Sequence, residues 1–174
     1  MAKIDVLISE EALTKRIQEL GVEISKDYAD KEISMICVLK GGVMFMTDLA
    51  KEVKPLMSMD FMAVSSYGNE TSSSGIVKIV KDLDEPIEGK DVLIVEDIID
   101  SGRTLSYLVK VLEDRNPSSI KIITLLDKPD RRIVDVDVKY VGFTIPDEFV
   151  LGYGLDYEQN YRNLPYIGIM KGLE

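Results

Sequence analysis

The sequence predicts an α/β domain built on a central, mostly parallel sheet flanked by helices, and two stretches predict it. Residues 92–95 (VLIV) form a short, unbroken apolar run rich in β-branched side chains, as in a strand buried on both faces. They run into Glu96, Asp97, Ile98, Ile99 and Asp100, then Ser101-Gly102-Arg103-Thr104. There the period turns helical, with Leu105, Leu108, Val109 and Leu112 on one face. Residues 33–39 (ISMICVL) repeat the scheme: a buried strand, then Lys40-Gly41-Gly42, then a helix over 43–53. A chain of 174 residues with 45% apolar content is enough for one domain with a sizeable core.

The remaining elements follow in order. Residues 1–8 read as a short extended arm. Ser9 suits a helix N-cap, with Glu10 and Glu11 in the first turn. Leu13, Ile17, Leu20, Ile24 and Tyr28 then step by three or four, which predicts a helix of about two dozen residues. Residues 60–67 (DFMAVSSY) predict a strand, and 76–80 resume extended structure. Between them lies GNETSSSG, polar and rich in glycine and serine, so the pair reads as a two-stranded arm with a mobile tip. After the central helix, residues 120–126 predict a strand that ends in Asp127-Lys128-Pro129. Arg131 and Arg132 fall in a charged turn and receive no role. Residues 138–145 predict another strand, and 166–170 a last edge strand.

Composition narrows the function. Net charge is −10 with no Lys/Arg-rich block, which argues against nucleic acid and against an anionic membrane surface. There is no histidine, so His triads, His-ligated zinc and a His base are excluded. The lone Cys37 sits in an apolar run as a packing residue, and the absence of a disulfide framework within the chain points to a reducing, cytoplasmic setting. The first residues carry no cleavable apolar segment, and no run approaches membrane-spanning length. Gly152-Tyr153-Gly154 lacks the third glycine and the βαβ context of a dinucleotide fingerprint, and there is no Walker A sequence.

The chemistry concentrates at 96–104. A strand-to-helix junction presents free backbone N–H groups and a positive dipole end, a seat for phosphate. Gly102 allows close approach of an anion, and the Ser101 and Thr104 hydroxyls add donors. Three acids beside such a seat would repel phosphate alone. They suit a ligand that also offers hydroxyls or a hydrated divalent cation, such as a sugar phosphate with a free diol.

Four apolar residues, two acids, a short loop and Gly-x-Thr resemble the phosphoribosyl-pyrophosphate (PRPP) signature of the type I phosphoribosyltransferases. Asp100 in the loop resembles their 6-oxopurine branch in its compact bacterial form. The resemblance implies a single domain over 1–174, with a core of about 30–145 and a small hood made by the N-terminal arm and about 146–174. It implies purine salvage: transfer of 5-phosphoribosyl from PRPP to N9 of hypoxanthine or guanine, giving IMP or GMP plus pyrophosphate, with Mg2+. Asp100 would be the general acid/base at N7, and Glu96 and Asp97 would bind the ribose diol, directly or through Mg2+. Residues 101–104 (Ser101, Gly102, Arg103, Thr104) would hold the 5′-phosphate. Lys40 and Gly41 resemble the pyrophosphate loop, where the Lys-Gly peptide is cis, although by themselves the two glycines fit a plain tight turn equally well. Lys128 would donate to the exocyclic oxygen of the purine, Phe149 would stack on the base and the Val150 main chain would bond its edge. Asp156 would hold a second Mg2+, and Arg162 would reach pyrophosphate. Ser66 and Tyr67 with the following tip resemble a lid that closes over the site. The family pattern also implies a homodimer or homotetramer. A PRPP-sensing regulator on the same fold and a xanthine enzyme stand as alternatives.

Overall fold

A computed structural model describes residues 3–66 and 77–172. The chain runs β1 (Lys3–Ile8), α1 (Glu10–Asp27), β2 (Ile33–Leu39), α2 (Val43–Glu52), β3 (Met57–Ser66), β4 (Val77–Lys81), β5 (Asp91–Ile99), α3 (Arg103–Glu113), β6 (Ser119–Asp127), a 3-10 turn (Pro129–Arg131), β7 (Tyr140–Thr144), β8 (Val150–Leu151) and β9 (Ile167–Lys171).

Strand alternation explains the layers. In β2, Ile33, Met35 and Cys37 pack with Leu13, Ile17, Leu20 and Ile24 of α1 and with Phe45, Met46 and Leu49 of α2. The alternate residues Ile36 and Val38 pack with Val92 and Ile94 of β5 and with Leu105, Leu108 and Leu112 of α3. Both faces of the central strands are therefore covered, which is why they read as continuous apolar runs.

The six-stranded sheet has the order β4-β3-β2-β5-β6-β7. Its pairs are parallel except β3 with β4. From β2 the chain crosses by α2 to β3 on one side, and from β5 it crosses by α3 to β6 on the other. The order thus reverses between β2 and β5, and such a switch point opens a crevice at the carboxyl ends of the two strands. A second, antiparallel sheet has the order β1-β9-β8, with Lys3 opposite Lys171 and Ile8 opposite Ile167.

Some boundaries differ from expectation for identifiable reasons. Helix α1 has 18 residues: Ser9 Oγ accepts the Ala12 N–H at 3.1 Å, and Tyr28 is the C-cap, so its buried ring extends the apolar stripe past the helix end. Strand β3 begins at Met57 because that residue pairs with Ile33. Strand β5 continues through Glu96 and Asp97 to Ile99, because the ladder to β6 persists (Glu96 with Thr124, Ile98 with Leu126, Ile99 with Asp127). Both acids are strand residues, not loop residues. Strand β7 is shorter than predicted. Tyr67 and the predicted lid tip lie outside the described residues. Among the described residues, no helix is long and apolar enough to cross a membrane.

Arg16 of α1 fastens the helix to the far edge of the sheet. Its Nε donates to the Gly142 carbonyl at 2.9 Å and its Nη2 to the Val141 carbonyl at 2.8 Å. Bonds to a charged donor contribute more than neutral ones, so Arg16→Met should lower stability by about 1–3 kcal/mol. Urea denaturation reads this as a lower midpoint at unchanged slope. An unchanged midpoint would mean these two bonds add nothing net.

Candidate active site

Three backbone segments touch at the switch point. A Cβ built on Gly41 would lie 1.7 Å from Asp97 Oδ2, and one built on Gly154 would lie 2.1 Å from the Gly41 carbonyl oxygen. The loop after β2, the end of β5 and the 152–154 turn therefore meet where no side chain fits between them. The turn is fixed by its own bonds: the Tyr153 N–H donates to the Leu164 carbonyl, the Gly154 N–H to the Arg162 carbonyl, and the Tyr153 hydroxyl to Asp48. The cis peptide precedes Lys40, joining it to Leu39, so it lies one bond upstream of the Lys-Gly bond that the family pattern implied.

Glu96 is 8% exposed, and Asp97 beside it is partly buried. Burial pushes the Glu96 carboxyl well above its usual range, and the neighbouring Asp97 charge adds to the rise. Burial likewise raises Asp97, while the Ile98 N–H, at 2.7 Å from Oδ1, and the Arg162 charge oppose the rise. Cys37 is buried in the same core, and burial together with the Glu96 and Asp97 charges pushes its thiol up to about 12, so it stays protonated as a packing residue.

Gly102 precedes α3 in the left-handed region, at φ 82°, and brings no capping side chain. The Ser106 N–H makes the first intrahelical bond, to the Gly102 carbonyl, and the Arg103 N–H meets Ser101 Oγ at 3.3 Å. The amides of Thr104 and Leu105 thus belong to the unpaired first turn of the helix. The sequence predicted Gly102 from anion approach, but the chain has a second reason for it. A Cβ there would lie 2.4 Å from the Val134 carbonyl oxygen. Ile133 and Val134 also donate to the Ser101 carbonyl, so the loop after the 3-10 turn braces the junction from behind.

Sequence reasoning missed the two arginines of that turn. Arg131 Nε donates to Asp100 Oδ1 at 3.1 Å, and its Nη1 lies 3.8 Å from Asp147 Oδ2. Arg132 Nε donates to the Asp100 carbonyl at 3.1 Å, and its Nη2 pairs with Asp127. No local pattern announces contacts 31 and 32 residues apart; the parallel register of β5 with β6 creates them.

Lys128, expected to donate to the purine, follows the end of β6; it is 8% exposed, with its backbone N–H bonded to the Ile99 carbonyl. Among the described residues, its ammonium has no hydrogen-bond or ion-pair partner. Phe149 is 46% exposed and meets the Tyr157 ring edge-on at 5.8 Å. Val150 is buried in β8, the edge of the smaller sheet. Arg162 donates to the Gly154 carbonyl at 2.7 Å and pairs with Asp156 Oδ1 at 3.1 Å. Lys40 Nζ and Arg162 Nη2 both donate to Gln159 Oε1, at 3.1 and 3.2 Å, and Gln159 is another residue that the sequence did not single out. Among the described residues, no three acidic or thiol side chains gather as a metal cage. Ser66 ends β3.

Residues 6–158 match the family model of a phosphoribosyl transferase domain. The chain is 58% identical to the hypoxanthine-guanine phosphoribosyltransferase of Bacillus subtilis over 166 residues, 95% of this chain and 92% of that protein. It is equally similar to the bifunctional protein TilS/HprT of Listeria monocytogenes, of whose length it spans only 26%. A crystal structure of a Staphylococcus aureus hypoxanthine phosphoribosyltransferase superposes with a TM-score of 0.93 at 52% identity, covering 96% of this chain and 91% of that one. A Bacillus anthracis hypoxanthine-guanine phosphoribosyltransferase, with a HEPES molecule in its active site, gives 0.93 at 49% identity, covering 97% and 99%.

The buried acid pair sets a pH dependence. A raised folded-state Glu96 means that the folded chain binds this proton more tightly than the unfolded chain, so its contribution to stability falls as pH rises above the unfolded value of about 4.3. Glu96→Gln removes that loss. In EDTA, the melting temperature of Glu96→Gln minus that of the parent should therefore grow more positive from pH 5 to pH 8. A difference that stays constant with pH would show that Glu96 is not strained by its burial.

Proposed function

The chain belongs to the phosphoribosyltransferase family, and from that premise we propose that it acts in purine salvage in the cytoplasm. It transfers the 5-phosphoribosyl group of PRPP to N9 of hypoxanthine or guanine, with Mg2+, and releases pyrophosphate with IMP or GMP. The observation that carries the reading is the carboxyl end of β5. A buried pair of acids leads there, within one short loop, into the uncapped N-terminus of α3, so ribose hydroxyls and the 5′-phosphate find acceptors and donors in one place.

In the reaction the bond from C1′ to the pyrophosphate oxygen breaks as C1′ bonds to N9, and the purine gives up a proton. Asp100 takes that proton at N7; in the free protein its carboxylate is held by Arg131 at the edge of the site. Glu96 and Asp97 accept from the ribose diol. The amides of 101–104, with the Ser101 and Thr104 hydroxyls, hold the 5′-phosphate. Lys40 and Arg162 flank the pyrophosphate. Lys128 donates to O6 of the purine, Phe149 covers the ring and the Val150 main chain bonds its edge, with the β1-β9-β8 sheet as hood and Ser66, Tyr67 and the residues after them as lid.

Glu96 and Asp97 are neighbouring hard oxygen donors, one buried and one partly buried, and two carboxylates completed by substrate oxygens are a usual Mg2+ arrangement. When bound, Mg2+ screens the charge of the departing pyrophosphate. Asp156 has both oxygens engaged in the free protein, by Arg162 and by the Gln159 N–H, and would hold a second ion only by exchanging one of them. Family membership also supports a homodimer or homotetramer, which sedimentation equilibrium reads directly.

An ultraviolet assay with PRPP, Mg2+ and each of five bases should show turnover of hypoxanthine and guanine; turnover confined to adenine, xanthine or uracil would overturn the substrate assignment. Asp100→Asn should lower kcat by about 10²–10⁴-fold with the KM for PRPP nearly unchanged. An unaltered kcat would remove Asp100 from the chemistry. Lys128→Ala should raise the KM for the purine while that for PRPP holds, with the melting temperature as folding control; the opposite pattern would put Lys128 outside the base site.

A further inference from the structure

Gln159 is placed where two cations converge. Lys40 Nζ and Arg162 Nη2 donate to the same side-chain oxygen, at 3.1 and 3.2 Å, so the two charged heads lie within hydrogen-bond reach of one neutral acceptor. Like charges held this close repel, and a shared acceptor offsets the repulsion without cancelling either charge. The acceptor is itself fixed. Glu158 and Gln159 sit at φ 50° and 66° in a two-residue turn closed by reciprocal bonds between Tyr157 and Asn160, and the Gln159 N–H donates to Asp156 Oδ2 at 2.8 Å. Two successive non-glycine residues at positive φ are an unfavourable choice for a plain surface turn. Arg162 is anchored from behind by the Gly154 carbonyl, and Gly154 abuts the Gly41 carbonyl beside Asp97.

We propose that Gln159 is a positioning residue for the pyrophosphate end of the substrate: its amide oxygen gathers Lys40 and Arg162 into one two-cation clamp and gives way to a phosphate oxygen when the ligand arrives. The inference rests on the proposed function. Asp156 Oδ1 already pairs with Arg162 Nη2 at 3.1 Å, and an amide beside it adds a shared acceptor without a second carboxylate to compete with the ligand. A side chain lacking the oxygen would let the cations separate, so more of the binding free energy would go into ordering them.

Two variants on this exposed turn test the idea, Gln159→Leu and Gln159→Glu. The probe is inorganic pyrophosphate, titrated calorimetrically with and without Mg2+, alongside the KM for PRPP. Gln159→Leu should weaken both on the order of fivefold. Gln159→Glu should weaken both further, and more so at low salt than at high salt. The purine KM should stay within about twofold of the parent, because no contact to the base is touched. Equal pyrophosphate affinity in all three proteins, or identical losses in the Leu and Glu variants, would overturn the proposal and leave Gln159 as a turn residue. The calorimetric arm needs no turnover. A parent that binds pyrophosphate through Lys40 and Arg162 yet transfers nothing would refute the proposed activity and still decide the role of Gln159.

Discussion

Two adjacent carboxylates at the end of the central strand, one buried and one partly buried, are the constraint around which this molecule is arranged. Had the chain turned after Val95, Glu96 and Asp97 would sit on a loop and relax toward solvent. The ladder to β6 persists instead, so both are held on a rigid element. Asp97 is directed against Gly41, and Glu96 is buried. The burial is unfavourable for the ionised forms, and the raised proton affinity of both acids is the trace of it. In the proposed reaction, ribose hydroxyls and a divalent cation would supply what the folded chain withholds from these acids.

The same constraint explains the glycines. Gly41 gives way to Asp97 Oδ2, Gly154 to the Gly41 carbonyl and Gly102 to the Val134 carbonyl. Each marks a place where one segment carrying site residues rests on the backbone of another. The switch point between β2 and β5 provides the crevice, and these contacts set its depth. The site is thus built from segments far apart in sequence but held at van der Waals distance, which makes its geometry a property of the whole sheet rather than of one loop.

Where the information is local, the sequence was readable. Apolar runs in β2 and β5, the Ser9 cap and the 96–104 pattern each follow from neighbouring residues, and the family itself followed from that pattern. Where the information is long-range, it was not. The Asp100–Arg131 pair depends on the β5/β6 register, and the Gln159 bridge joins residues 119 apart. Tyr28 shows a third kind of miss: its apolar side chain continues the helical period while its backbone has already left the helix, so burial and secondary structure diverge at the boundary. Periodicity reports which side chains are buried, and it reads helix length only as long as the two agree.

The three cations proposed for the site also divide by their surroundings. The chain carries −10 overall, so the field far from the site does not favour an anion, and beyond about 8–10 Å at ordinary ionic strength that field is screened anyway. Local pairs decide. Lys40 and Arg162 are kept near solvent with acceptors already in place, suited to a highly charged ligand that arrives hydrated and leaves again. Lys128 is largely buried as a residue, yet no buried side-chain nitrogen or oxygen among the described residues lacks a hydrogen-bond partner, so its ammonium is not an orphaned donor. In the proposed reaction it exchanges water for the carbonyl oxygen of a 6-oxopurine. A base that presents an amino group there would set donor against donor, and a site built to bond a particular group rejects analogues lacking it far more strongly than one that merely fits their shape.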